Sequence, residues 1–208
     1  MLPKLLHAFL IIFFSLCISC SETSPRFSPL ASDATIMAFG DSLTAGNGAH
    51  KEKSYPAMLQ QMTGYKVINA GISGEESDRG LKRLPALLKK HQPALVIICH
   101  GGNDILRKRN LSQTQSNIIK MIELAKSQQA NVMLLGVPKP SLILSALPVY
   151  QHIADQTRVI YDPSTMASVL AKRELKSDTY HPNAAGYAVI AEKIFQQLIE
   201  SGLIKTDS

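Results

Sequence analysis

The 208 residues are 45% hydrophobic and 18% charged, enough apolar material for one core and too short a chain to demand two. The formal charge of +6 is mildly basic and comes without an Arg/Lys stripe interleaved with aromatics, so nucleic acid is not an expected partner. Only three cysteines occur, Cys17, Cys20 and Cys99, which excludes a disulfide-built scaffold.

Residues 1–19 carry one cation, Lys4, then an apolar run over 8–16 and small residues before Cys20, the pattern of an export signal. The run is short of the ~20 apolar residues a membrane span needs. Leu16-Cys17-Ile18-Ser19-Cys20 is similar to a bacterial lipobox, with Ser19 before the cut and Cys20 as the lipidated residue. Cys17 stands where Leu is usual, and an ordinary signal peptide is the alternative. Cleavage removes Lys4 and leaves +5. Residues 20–33, rich in Ser and Pro, are expected to be a flexible tether, with the folded domain at 34–208. Export places that domain in the periplasm or cell envelope, held at a membrane surface through the lipid.

Short runs rich in Val, Ile and Leu at 35–39, 66–69, 94–99, 131–137 and 158–161 read as buried parallel strands. Helical patterns fall between them at 55–62, 76–91, 112–129, 145–156 and 164–170, and a last helix at 183–201. Alternating β and α units predict a three-layer α/β/α sandwich on a five-stranded parallel sheet. In such a sheet ligands bind beyond the carboxyl ends of the strands. Ser42 follows the first strand, Gly71 the second and Asn103 the third, while Asp178 and His181 precede the last helix.

A serine hydroxyl needs a histidine to take its proton, and the histidine needs a carboxylate to hold its tautomer. Ser42, His181 and Asp178 supply those parts. Taken singly each has a plainer reading: Ser42 as a helix cap, Gly71 as a strand exit, Asp178 as a loop carboxylate, His181 as a surface histidine before Pro182. Asp41 is expected to shape the turn rather than react, and Asp104 to cap a helix. His50, His91, His100 and His152 have no metal-site spacing, so no metal is expected, and His100 is expected to support the site from behind. Gly40–Gly48 lacks the Gly-Lys-Ser or Gly-Lys-Thr of a phosphate loop and the third glycine of a dinucleotide fingerprint.

Gly40-Asp41-Ser42-Leu43 with Thr44-Ala45-Gly46, the central Gly71, Gly101-Gly102-Asn103-Asp104 and Asp178-Thr179-Tyr180-His181-Pro182 resemble the four sequence blocks of the GDSL, or SGNH, hydrolases. Ser73-Gly74-Glu75 and the stretch 83–93 look most like the bacterial branch of acyl-CoA thioesterases, lysophospholipases and arylesterases. The resemblance implies a flavodoxin-like sheet and cofactor-free hydrolysis of acyl esters or thioesters, lysophospholipids among them. It implies Ser42 as nucleophile, His181 as base then acid and Asp178 as its orienter. The oxyanion is assigned by the same resemblance to the amides of Ser42 and Gly71 and the side chain of Asn103.

Departures from the branch bear on substrate. Asn47 stands where an aromatic residue is common and Tyr55 where a tryptophan often sits, and the loop after the fourth strand, with Leu142, Ile143, Leu144 and Leu147, is read as an acyl-chain groove or as packing on the sheet. Arg107, Lys108 and Arg109 are expected to be a solvated basic loop. Two alternatives use the same fold: a deacetylase of O-acetylated cell-wall or polysaccharide sugars, and a lipoprotein binding module without chemistry.

Overall fold

The computed structural model describes residues 27–139 and 144–205. Five strands, β1 (Thr35–Gly40), β2 (Lys66–Gly71), β3 (Leu95–Cys99), β4 (Asn131–Leu135) and β5 (Ile160–Asp162), form one sheet in the order β2-β1-β3-β4-β5, all neighbours parallel. Strand β3 is buried along its whole length and β1 from Ile36 on, as their continuous apolar runs require. Among the described residues eight α-helices accompany them: α1 (Ser42–Ala45), α2 (Tyr55–Thr63), α3 (Ser77–His91), α4 (Gly102–Leu106), α5 (Leu111–Ser127), α6 (Pro148–Thr157), α7 (Thr165–Ala171) and α8 (Ala184–Glu200). Helix α8 packs on α2 and α7, while α5 packs on α3 and α6, so the helices form two layers around the sheet. The expected three-layer α/β/α sandwich is the fold observed.

The differences in detail have local causes. The helix expected from 145 starts at Pro148, whose fixed φ and missing N–H suit a first turn. The last strand starts at Ile160 because Arg158 is the left-handed cap of α6, with φ 53°. The one-turn helices α1 and α4 have no counterpart in the sequence reading.

Part of the expected tether belongs to the domain. Phe27 and Leu30 pack against the core, the Leu30 amide donates to Leu203 O at 2.9 Å, and the Tyr65 hydroxyl donates to Leu30 O at 3.2 Å. The domain therefore begins before residue 34. The signal segment 1–19, Cys20 and the tether up to residue 26 lie outside the described residues, as do Leu142 and Ile143. Among the described residues no helix is long and apolar enough to cross a membrane.

The order in which successive strands are added reverses at β1: β2 lies on one side and β3 on the other. A ligand crevice is expected at this switch, beyond the carboxyl ends of β1 and β3.

Candidate active site

Strand β1 ends at Gly40, and the chain turns at once into α1. Asp41 caps that single turn, its Oδ1 accepting the Leu43 amide at 3.1 Å, so Ser42 is the first helical residue. Tyr55 and Thr44 hydroxyls meet at 3.1 Å and tie α1 to α2. At the other end of the chain Asp178 opens a tight turn, its Oδ1 accepting the amides of Tyr180 at 2.7 Å and His181 at 2.9 Å. That turn aims the imidazole: His181 Nδ1 lies 2.8 Å from Asp178 Oδ2, and Nε2 lies 3.0 Å from Ser42 Oγ. Nδ1 must carry the proton to bond the carboxylate, which leaves Nε2 as an acceptor for the serine hydroxyl. Partial burial pushes the Asp178 carboxyl up, but the His181 ring and the two turn amides outweigh it and hold it below the ordinary aspartate value.

Asp41 is buried and bonded on both sides. It is 1% exposed, and burial is the main cause of its raised pKa. Its Oδ2 accepts Asn103 Nδ2 at 3.3 Å, and the same amide nitrogen donates to Glu75 O at 3.0 Å. Asn103 is thereby held in α4 with its amide in the cleft that Ser42 and His181 line.

Gly71 is not part of that cleft. Its amide donates to Asn69 Oδ1 at 3.0 Å, and a Cβ there would run into the backbone of Thr44 and Ala45. Gly71 is a glycine because α1 crosses closely over the end of β2. The cleft is lined instead by Gly74, three residues on, in a left-handed conformation with φ 75°. Among the described residues the Ser42 and Gly74 amides have no hydrogen-bond partner.

The segment after Gly74 is secured residue by residue. Gly74 O accepts Arg107 Nη1 at 3.0 Å, and Glu76 pairs with Arg107 at 2.7 Å and Arg109 at 3.0 Å. The basic loop is thus partnered on Glu76 at two of its three cations. The buried Asp104 accepts the Ser77 amide at 2.8 Å, the Ser77 hydroxyl at 2.6 Å and the Thr114 hydroxyl at 3.2 Å, so it ties the start of α3, earlier in the chain, to the first turn of α5. Glu75 turns inward, where Arg83 and His100 meet it, a cluster that sequence reasoning missed. His100 is fully buried, its Nδ1 accepting the Gly101 amide at 3.0 Å.

The cleft has a volume of about 360 Å³. Its walls are mainly apolar, with Leu43, Leu106, Val137, Leu144, Leu170 and Tyr180 beside the polar group of Ser42, Asn103 and His181. Leu144 is in the wall as the groove reading expects, whereas Leu147 packs against the core. Among the described residues no cluster of His, Cys, Asp or Glu has the arrangement of a metal site.

Residues 38–189, more than half the chain, match the GDSL-like Lipase/Acylhydrolase family. The chain is 34% identical to the esterase TesA of Pseudomonas aeruginosa over 81% of its own length and 89% of that protein's. It is 35% identical to thioesterase 1/protease 1/lysophospholipase L1 of Escherichia coli, over 83% and 86% of the two chains. An arylesterase of Vibrio mimicus is 33% identical over 92% and 96%. Among solved structures, TesA superposes with a TM-score of 0.72 at 33% identity, covering 79% of this chain and 97% of TesA. The psychrotrophic esterase EstA of Pseudoalteromonas sp. superposes with a TM-score of 0.73 at 27% identity, covering 81% and 98%. With this fold, an extended sequence match and relatives named esterase, arylesterase and thioesterase/lysophospholipase, the chain belongs to the GDSL-like lipase/acylhydrolase, or SGNH hydrolase, family and is an ester-bond hydrolase.

Proposed function

We propose that the protein cleaves carboxyl esters or thioesters of acyl chains through a covalent acyl-enzyme on Ser42. The observation that carries this reading is the Ser42–His181–Asp178 relay, with links of 3.0 and 2.8 Å, set in a largely apolar cleft. His181 Nε2 takes the Ser42 proton as Oγ attacks the acyl carbonyl, and Asp178 steadies the imidazolium that forms. The imidazolium then protonates the leaving alkoxide or thiolate. Water, deprotonated by the same nitrogen, releases the acid and restores the serine. The negative oxygen of each tetrahedral intermediate is received by the Ser42 and Gly74 amides and by Asn103 Nδ2, a role that Gly74 takes in place of Gly71. The related esterase EstA has been crystallised inhibited by monoethylphosphonate.

Leu106, Leu144 and Leu170 suit an acyl chain of some length, with acyl thioesters and lysophospholipids as substrate classes. Hydrolysis of p-nitrophenyl acetate, butyrate and octanoate, with Ser42→Ala as control, tests the reading. The expected result is a kcat/KM that rises by up to about fourfold per methylene and vanishes in the variant. A preference for acetate transfers the assignment to sugar deacetylation. Absence of any Ser42-dependent turnover leaves the binding-module reading.

We also read residues 1–19 as an export signal and Cys20 as a lipid anchor at the cell envelope, on the sequence pattern alone. Incorporation of labelled palmitate that is lost in Cys20→Ala tests this; label retained in that variant refutes it.

A further inference from the structure

The cleft owes its Gly74 and Asn103 donors to a short stretch of chain between β2 and α3, and the side chain at the centre of that stretch points the other way. Glu75 is 5% exposed. Its carboxylate receives Arg83 Nε at 2.7 and 3.0 Å, Arg83 Nη2 at 2.6 Å and His100 Nε2 at 3.2 Å. Because His100 Nδ1 accepts the Gly101 amide, its proton is on Nε2 and is donated to Glu75. Arg83 in turn reaches Ala70 O at 2.8 Å and Gly40 O at 3.3 Å, the ends of β2 and β1, and its guanidinium lies 4.2 Å from the centre of the Phe39 ring. Burial pushes the Glu75 carboxyl up, but the hydrogen bonds from His100 and Arg83 and the charge of Arg83 more than reverse this, so Glu75 is ionised.

We propose that Glu75 is a positioning residue for the oxyanion hole: its buried carboxylate, anchored by Arg83 and His100, fixes the backbone that carries the Gly74 amide and the Glu75 carbonyl that orients Asn103. This rests on the reading of Ser42, Gly74 and Asn103 given above. One backbone residue thereby joins two of the three donors. The Gly74 amide lies one residue before Glu75, and Asn103 Nδ2 is 3.0 Å from Glu75 O. Arg83 refers that residue to the ends of the two strands flanking α1, and His100 refers it to the end of β3, from which α4 and Asn103 follow. The donors are thus registered to the strands that present Ser42. Preorganised donors lose their advantage with displacements of well under an ångström, so a side chain that never meets substrate sets the rate.

The test compares Glu75→Gln with His100→Asn in the full chain. His100→Asn keeps an acceptor for the Gly101 amide and removes the donor to Glu75. Three quantities are measured: kcat and KM on p-nitrophenyl butyrate, the inhibition constant of phenylboronic acid, whose adduct on a serine mimics the tetrahedral oxyanion, and the unfolding temperature. The expected result is a kcat about 10- to 100-fold lower, KM within about twofold, and boronate inhibition weakened in step with kcat. A purely structural role lowers the unfolding temperature and the active fraction without moving the boronate constant of the molecules that remain folded. Should Glu75→Gln not fold, His100→Asn decides alone. The proposal is overturned by a folded variant whose kcat is unchanged, or whose kcat falls while boronate affinity stays constant. Ser42→Ala separates the two levels: if it is inert and the other variants behave as wild type, only the role of Glu75 is lost; if it still turns over ester, the nucleophile assignment itself is wrong.

Discussion

On the proposed mechanism, truncating Asn103 to alanine removes one oxyanion donor and little else. Its Nδ2 makes two bonds in the resting protein, at 3.0 Å to Glu75 O and 3.3 Å to Asp41 Oδ2. The shorter bond holds the amide plane, and the longer is the one a developing oxyanion displaces, being near the limit of a useful N–H···O contact. Loss of such a donor costs about 2.7 to 4 kcal/mol in the transition state, or about 100- to 1000-fold in kcat. In the ground state the loss is smaller: a part-buried amide giving up one good bond costs about 1 kcal/mol of folding stability, so Asn103→Ala remains folded. Because the interaction strengthens only as charge develops, KM changes by no more than about twofold. Steady-state hydrolysis of p-nitrophenyl butyrate, with active sites counted by a fluorophosphonate, measures both constants. A kcat within about fivefold of wild type, or a loss confined to KM, refutes the assignment of Asn103 as a donor.

Gly71→Ala and Gly74→Ala give opposite results despite their nearness. The first forces a methyl group into the backbone of α1 and costs about 3 kcal/mol or more. The second meets nothing nearer than Arg107 Nη2 at 3.7 Å and costs only the left-handed strain, about 1 kcal/mol; equal unfolding temperatures contradict this packing account. Asp178→Asn lowers kcat by about 10⁴-fold by destroying the His181 tautomer preference, with turnover of the purified variant above a tenth of wild type as the opposing result. The same carboxyl gives an acid signature. Its folded pKa is lowered, so its contribution to stability is present above about pH 4 and lost as pH falls through the lowered value. Wild type therefore loses more stability than Asp178→Asn in acid titrations below about pH 4, and parallel curves speak against the ion pair.

The strands were legible because a parallel sheet buried on both faces demands continuous Val, Ile and Leu, and few other elements do. Ser42, Asp178 and His181 were legible as a motif, since each stands where a strand ends or the last helix begins. Gly71 was expected in the cleft and Gly74 lies there instead, for a physical reason. Gly71 ends β2 and Gly74 comes three residues later, and the choice between them turns on which amide is free; the Asn69 side chain that occupies the Gly71 amide is a tertiary detail, not a pattern. The short helices α1 and α4 have four and five residues, too few to display a period. The charged triad of Glu75, Arg83 and His100 left no mark, because nothing in the spacing of a glutamate and an arginine eight residues apart says that both turn inward. Asp104 was read as a cap of the helix that follows it; it does reach Thr114 in α5, but it also receives the amide of Ser77, 27 residues earlier, at the start of α3.

Ser42 and His181 are 139 positions apart, one leaving the first strand and the other preceding the final helix. Neither half of the chain holds both. On the proposed mechanism a nascent or partly folded molecule is inert toward esters even when its central strands have paired, and it gains activity once α8 docks on α2 and His181 comes within reach of Ser42. Regain of turnover during refolding then reports that docking step.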